Sequence, residues 1–191
     1  MPPSRLALAL AVALAACAGD AAPDDASPAP PGSSTAQLAL DADGVHQLGA
    51  ETPFDTAAVR SALPPGFTVE LRSVETEAGP APVAWALRDG LLVLEVYPSD
   101  DGATVGRIDA ASDQVTGPDG ARTGQTFADL DGGQMDCEPG DGDLAGRVVC
   151  RASRGSPVRY VFAHADADAS RLPDDDQLAD ALLERVVWTA D

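Results

Sequence analysis

Two histidines, eleven serines, three cysteines and thirty-one acidic residues are the side chains from which this 191-residue chain could build a reactive site. Neither His46 nor His164 stands in a G-x-S-x-G, H-E-x-x-H or H-x-x-E-H setting, the spacings that put a base beside a nucleophile or two imidazoles on one metal. There is no lysine, which removes Schiff-base and Ser–Lys chemistry. No glycine-rich phosphate loop joins a strand to a helix. The acidic stretches DADG (41–44), DLDGG (129–133), DGD (141–143) and HADADAS (164–170) offer the oxygen ligands that calcium prefers. None extends into a calcium loop: counted from Asp166, position six is Arg171 and position twelve is Gln177. Asp-rich loops also follow from turn chemistry. The chain is therefore expected to carry no catalytic residues, no metal ligands and no cofactor, and to be no enzyme. A small-ligand or divalent-cation binder is the alternative that the acidic loops leave open.

The cysteines are more informative. The run from Leu6 to Ala16 is eleven apolar residues behind Arg5. A bilayer-crossing helix needs about twenty, so the run reads as a signal peptide. It ends in Leu14-Ala15-Ala16-Cys17, which resembles the lipobox of bacterial lipoproteins. That resemblance implies cleavage before Cys17, a lipid on its thiol and acylation of the new amine. Ala18 follows where the best-known inner-membrane retention signal has Asp, so the expected address is the outer membrane, with the domain in the periplasm. An ordinary secretory signal with an incidental cysteine is the plainer possibility. With Cys17 lipidated in an oxidising compartment, Cys137 and Cys150 remain to pair. A turn signal, Pro139-Gly140-Asp141-Gly142, lies between them. We expect a disulfide across two strands joined by that loop, stabilising the fold by about 3 kcal/mol. Two cysteines thirteen positions apart with no histidine nearby lack the spacing of a zinc site.

Composition limits the partners. All twelve basic residues are Arg, and the net charge is −19. Nucleic-acid binding wants a basic surface, and docking on anionic headgroups wants a polybasic patch; neither is present. The membrane is then reached through the lipid anchor, and any further partner is an unidentified envelope protein or component. Residues 1–16 form the signal peptide. Residues 17–36 hold the lipidated cysteine and a Pro/Ala/Asp linker too poor in bulky apolar groups to fold, with a reach of about 25 Å. Residues 37–191 form a single domain.

Within that domain the pattern is α+β: an antiparallel sheet with few short helices. Residues 67–75 alternate as a half-buried strand does. Asp89-Gly90 is a two-residue hairpin signal between strands at 83–88 and 91–97, and a further strand falls near 103–110. Short helices are expected in PFDTAAVRSAL, capped by Asp55 or Thr52, in GQTFADL, capped by Thr126, and in PDDDQLADALL, whose acids suit a first turn. The chain also overlays on itself. Residues 83–97 match 148–162 with Gly90 on Gly155, Val93 on Val158, Val96 on Val161 and Tyr97 on Phe162, and GRIDA (106–110) matches ERVVW (184–188). This suggests half-repeats at 44–116 and 117–191, each helix, strand, hairpin, strand, sharing one antiparallel layer with helices on a face.

An ordered set of residues resembles a bacterial family. It includes Gly44-Val45, Thr52-Pro53, Ala58 to Leu63, Arg107-Ile108-Asp109, Gly120, Gly124, Thr126-Phe127 and Asp129-Leu130. It continues through Cys137 and Cys150 flanking Asp141-Gly142-Asp143, then YVF (160–162), Pro173-Asp174-Asp175 and VVW (186–188). These are similar to the sigma-E (RpoE)-regulated lipoproteins, the YfeY-like family of unknown function, over about residues 44–188. The resemblance implies an envelope lipoprotein whose expression answers outer-membrane stress, with its cysteine pair at Cys137 and Cys150. It supplies no catalytic residues. The expected function is a non-enzymatic accessory or interaction domain anchored at the outer membrane.

Overall fold

The Asp89-Gly90 turn shows how local chemistry sets the architecture. Both residues take positive φ, 52° and 77°, the geometry whose twist matches a tight hairpin. It joins β4 (Gly79–Arg88) to β5 (Leu91–Pro98). In the computed structural model of the protein, which describes residues 37–76, 79–163 and 171–190, this hairpin lies within a large antiparallel sheet. The leader, Cys17, the linker and His164 lie outside the described residues.

The remaining elements, in chain order, are β1 (Leu38–Asp41), β2 (Gly44–Val45), α1 (Thr56–Ala62), β3 (Phe67–Thr76), β6 (Val105–Ala110) and β7 (Val115–Thr116). After them come β8 (Asp136–Pro139), β9 (Arg147–Arg151), β10 (Val158–Ala163), α2 (Asp175–Leu178) and β11 (Leu182–Thr189). Eight strands form one sheet in the order β3-β4-β5-β6-β11-β10-β9-β8. Two meanders of four strands each therefore meet along β6 and β11, which are antiparallel with Ile108 opposite Trp188 and Ala110 opposite Val186. A small second sheet, β2-β1-β7, contains the parallel pair β1–β7.

Alternation decides what each face of the large sheet buries. One face sends Leu94, Val96, Ile108, Ala110, Val158, Tyr160, Phe162, Val186 and Trp188 into a core shared with Leu38, Leu40 and Val45 of the small sheet and with Val59 and Leu63 at α1. The polar ends of its aromatics are satisfied: Trp188 Nε1 donates to the Ala42 carbonyl at 2.9 Å and Tyr160 Oη to the Pro118 carbonyl at 2.8 Å. Burial, aided by the charge of Asp119, pushes the Tyr160 phenol up to about 12. The opposite face is mostly polar. Part of it is apolar, including a small cluster of Val149, Val161 and Val187, with Leu144 against it.

Helices are as sparse as expected and shorter. Asp55 caps α1, its Oδ1 accepting from the N–H groups of Ala57 and Ala58 at 2.9 and 2.8 Å. The expected helix at GQTFADL is a single 3-10 turn over Ala128–Leu130. There the Thr126 hydroxyl and Asp129 carboxylate bond reciprocally to each other's backbone N–H groups. PDDDQLADALL yields only the one turn of α2, capped by Asp174. Leu182 and Leu183 already belong to β11, because that strand fills the place between β6 and β10. Cys137 and Cys150 face each other across β8 and β9, their Cα atoms 4.0 Å apart, and are joined by a disulfide.

The overlay of the two hairpins needs one correction. Val96 lies in the main core and Val161 in the small cluster on the other face, so the two are not equivalent positions. In the sheet it is Leu94 that takes the place of Val158, since Leu94 pairs with Ala110 as Val158 pairs with Trp188. A bulge between Ala86 and Leu87, which leaves Val93 extra, slides β5 by one residue.

Candidate functional site

The polar face of the large sheet carries one concentrated group of charges, at the seam between β6 and β11. Asp109 points to this face because Ile108 and Ala110 point to the core. It is the most deeply buried charge among the described residues, with its side chain fully shielded. Such a carboxylate needs several donors. Arg107, on the same face two residues earlier, supplies two: Nε and Nη2 donate to Oδ1 and Oδ2 at 2.6 Å each. Arg185, on the neighbouring strand, supplies a third, Nη1 to Oδ2 at 3.1 Å.

Arg107 is held from every side. Its other edge donates from Nη1 and Nη2 to the two oxygens of Asp143, at 3.2 and 2.6 Å. Its guanidinium lies 4.7 Å from the centre of the Tyr97 ring. Burial works against the charge on Arg107, but the bonds to Asp109 and Asp143 outweigh it and raise its pKa. Burial likewise favours the neutral form of Asp143, and its bonds to Arg107 overcome that and hold the carboxyl below its usual range. Tyr97 is shifted well up by burial and by the nearby charges of Asp109 and Glu95, so its phenol keeps its proton.

Arg185 is treated differently. The residue two positions after it, where Asp109 follows Arg107, is Val187. Among the described residues its guanidinium makes one hydrogen bond, to Asp109, and its Nε is shut off from solvent with no acceptor. Arg185, Arg107, Tyr97, Asp143, Gly142 and the end of β3 from Val74 to Thr76 line an open depression of about 610 Å³. Asp143 reaches it from the β8–β9 loop and Val74 and Thr76 from β3, strands at opposite edges of the sheet.

The other described residues singled out in the sequence lie apart from this group. His46 follows β2 at φ 58°, and its Nδ1 is 3.0 Å from the Ala62 carbonyl, closing the end of α1. Asp41 accepts from the Asp43 N–H at 2.9 Å within the β1–β2 turn. Asp129 serves its 3-10 turn, which holds its carboxyl below the usual range through the Thr126 bonds. Of the acidic stretches among the described residues, only DGD reaches the depression, and there Asp143 binds an arginine; HADADAS lies outside the described residues. Among the described residues no three His, Cys, Asp or Glu side chains are grouped to hold a metal. None of their helices is long and apolar enough to cross a membrane. Arg107, Asp109 and Arg185 were not recognisable as a site from the sequence alone, although the overlay of GRIDA on ERVVW sets Arg107 on Arg185.

Comparison with known proteins agrees with this architecture. The crystal structure of the uncharacterized protein YfeY from Escherichia coli matches with a TM-score of 0.62 at 21% identity, over 81% of this chain and 99% of that one. At that identity the likeness concerns the fold. No curated protein matches. A family model described as "Protein of unknown function (DUF1131)" matches residues 26–190. The chain belongs to this YfeY-like family of unknown function.

Proposed function

We propose that the protein is an outer-membrane lipoprotein, held by an acylated Cys17 and a Pro/Ala/Asp-rich linker, whose domain binds an envelope component without transforming it. The observation that carries this reading is the charged group at the β6–β11 seam. It has guanidiniums, carboxylates and a phenol that keeps its proton, but no nucleophile paired with a base. Such a set is suited to recognising and orienting a charged group. The lipobox-like Leu14-Ala15-Ala16-Cys17 supports the anchor. A role in an envelope-stress response belongs to the same proposal, and a rise in transcript when outer-membrane assembly is impaired is its test.

We also infer that the domain is a duplicated unit. Three relations support this. The sheet reads the same from both edges, as two meanders meeting at their last strands. Ala84 pairs with Val96 and Leu94 with Ala110, as Cys150 pairs with Tyr160 and Val158 with Trp188. About the same axis Arg107 takes the place of Arg185.

The test of the binding reading is crosslinking in the envelope from a photoreactive residue at position 76, on the rim of the depression, with a Cys17→Ala control. One discrete partner, lost in the control, is the expected result. Capture of the same bystanders in both samples overturns the reading. So does turnover of an envelope substrate by the purified chain that is lost on changing one polar residue of the depression.

A further inference from the structure

We propose that the protein forms a two-fold dimer by pairing the outer edge of β3 with the same edge of a second copy, antiparallel and centred on Leu71. The surface is separate from the β6–β11 seam, and the proposal does not rest on the binding reading above.

The two edges of the large sheet are finished differently. β8 is four residues long, ends in Pro139 and is tied to β9 by the disulfide. Short length and proline are common means of closing an edge to other strands. β3 has neither. It runs ten residues, Phe67–Thr76, without proline, and pairs with β4 in unbroken register, whereas β5 meets both β4 and β6 with a shift. No strand among the described residues pairs with its outer side. Every second residue of β3 therefore directs its N–H and C=O away from the sheet, and Glu70, Leu71, Arg72 and Ser73 are all exposed. An extended strand is the partner that such an edge accepts.

The charges on β3 select a second copy and fix the register. Glu70 and Arg72 share the face of Trp85; Arg72 Nη2 donates to the Glu70 carboxylate, and the guanidinium lies 5.3 Å from the centre of the Trp85 ring. In an antiparallel pair centred on Leu71, Glu70 of each copy stands directly opposite Arg72 of the other, so four charges of alternating sign surround the axis. Centring the pair on Glu70 or on Arg72 instead sets two like charges face to face, which is unfavourable. The opposite face agrees. Leu71 is 59% exposed and follows Phe67 and Val69, which pack into the core. At the axis Leu71 meets Leu71 of the second copy, with Val69 opposite Ser73, and the apolar row of one core continues toward the other. A two-fold contact requires a patch that is its own complement, and residues 68–74 meet that requirement in charge and in apolar surface.

The experiment is sedimentation equilibrium of the full chain in an uncharged, density-matched detergent with micelles in excess. At about 0.15 M salt a Debye length of about 8 Å screens the general repulsion between two chains of net charge −19, but not contacts across one strand pair. A concentration-dependent equilibrium between monomer and dimer is expected. Arg72→Glu sets carboxylates opposite each other on both sides of the axis and should weaken the dimer about tenfold or more. Reversing both charges, Glu70→Arg with Arg72→Glu, should restore it, since each cross-strand pair is again unlike. Independently, Leu71→Cys should give a covalent dimer on oxidation, with wild type as the control, because directly opposed Cα atoms lie about 4.5–5.5 Å apart. Ser73→Cys should not, since in this register position 73 is more than about 13 Å from its own copy. A chain that stays monomeric at every concentration overturns the proposal and leaves the edge to a strand of another protein. A dimer indifferent to Arg72→Glu, a doubly reversed chain that folds but does not reassociate, or equal crosslinking from positions 71 and 73 also overturns it.

Discussion

Replacing Asp109 by alanine tests the physical basis of the seam most directly. Asp109 is 1% exposed and accepts three hydrogen bonds from two guanidiniums. Its removal leaves the guanidiniums of Arg107 and Arg185, which reach Asp109 from two strands, without the carboxylate that lay between them. Breaking a buried ion pair by deleting one partner costs about 3–5 kcal/mol. For a domain of this size that lowers the thermal midpoint by about 6–20 °C. Urea unfolding of the wild type, the three single alanine variants and the two doubles would give both the loss and its origin. Arg107 makes two bonds of 2.6 Å to Asp109, and Arg185 makes one of 3.1 Å. The coupling of Asp109 with Arg107 should therefore exceed its coupling with Arg185, and should reach about 2 kcal/mol or more. A loss under about 1 kcal/mol for Asp109→Ala, the range of an exposed pair, would refute the reasoning, as would equal couplings to the two arginines.

Other consequences are as open to measurement. Val187→Asp should supply Arg185 with the side-on partner that Arg107 already has; it should cost several kcal/mol in an Arg185→Met background and clearly less with Arg185 present, by urea unfolding. Equal costs in the two backgrounds would count against equivalence of the two halves. Replacing Cys137 and Cys150 together by alanine should cost about 3 kcal/mol for the loop they close, read as a lower unfolding midpoint than wild type under non-reducing conditions and no difference between the two once both are reduced. The Asp143 carboxyl is held below its usual range, so the stability it contributes through Arg107 is full above its unfolded pKa of about 3.9 and fades as the pH falls through its lower folded value. The difference between wild type and Asp143→Asn should thus be constant at neutral pH and vanish in acid. Because Asp143 is half exposed, that difference should be small.

Much of the sheet was legible because its signals are local. Alternation marks β3, and Asp89-Gly90 dictates the β4–β5 hairpin. Asp55 starts α1 by offering an acceptor to two orphan N–H groups. The acids at 174–176 start α2 in the same way but could not extend it, since sheet pairing of Leu182 and Leu183 overrides helical spacing. Very short strands such as β2 and β7 have too few residues to show a period. The hairpin overlay failed by one residue because a bulge at Val93 leaves no mark in the pattern of residue types. The seam site escaped for a related reason. Arg107 and Asp109 are two apart on a strand, which is unremarkable in any acidic chain. Only pairing of β6 with β11 brings Arg185 to them from 76 positions away, and only the β8–β9 loop brings Asp143.

That loop is itself closed at its base by the Cys137–Cys150 disulfide. The carboxylate that completes the grip on Arg107 therefore hangs from a covalent ring, and the ring closes only by oxidation. A chain still in a reducing compartment would have the same strands and the same arginines but a slack Asp143, and so a seam that is not yet finished. Oxidation and completion of the site become one event: the depression acquires its final rim when the disulfide closes, and not before.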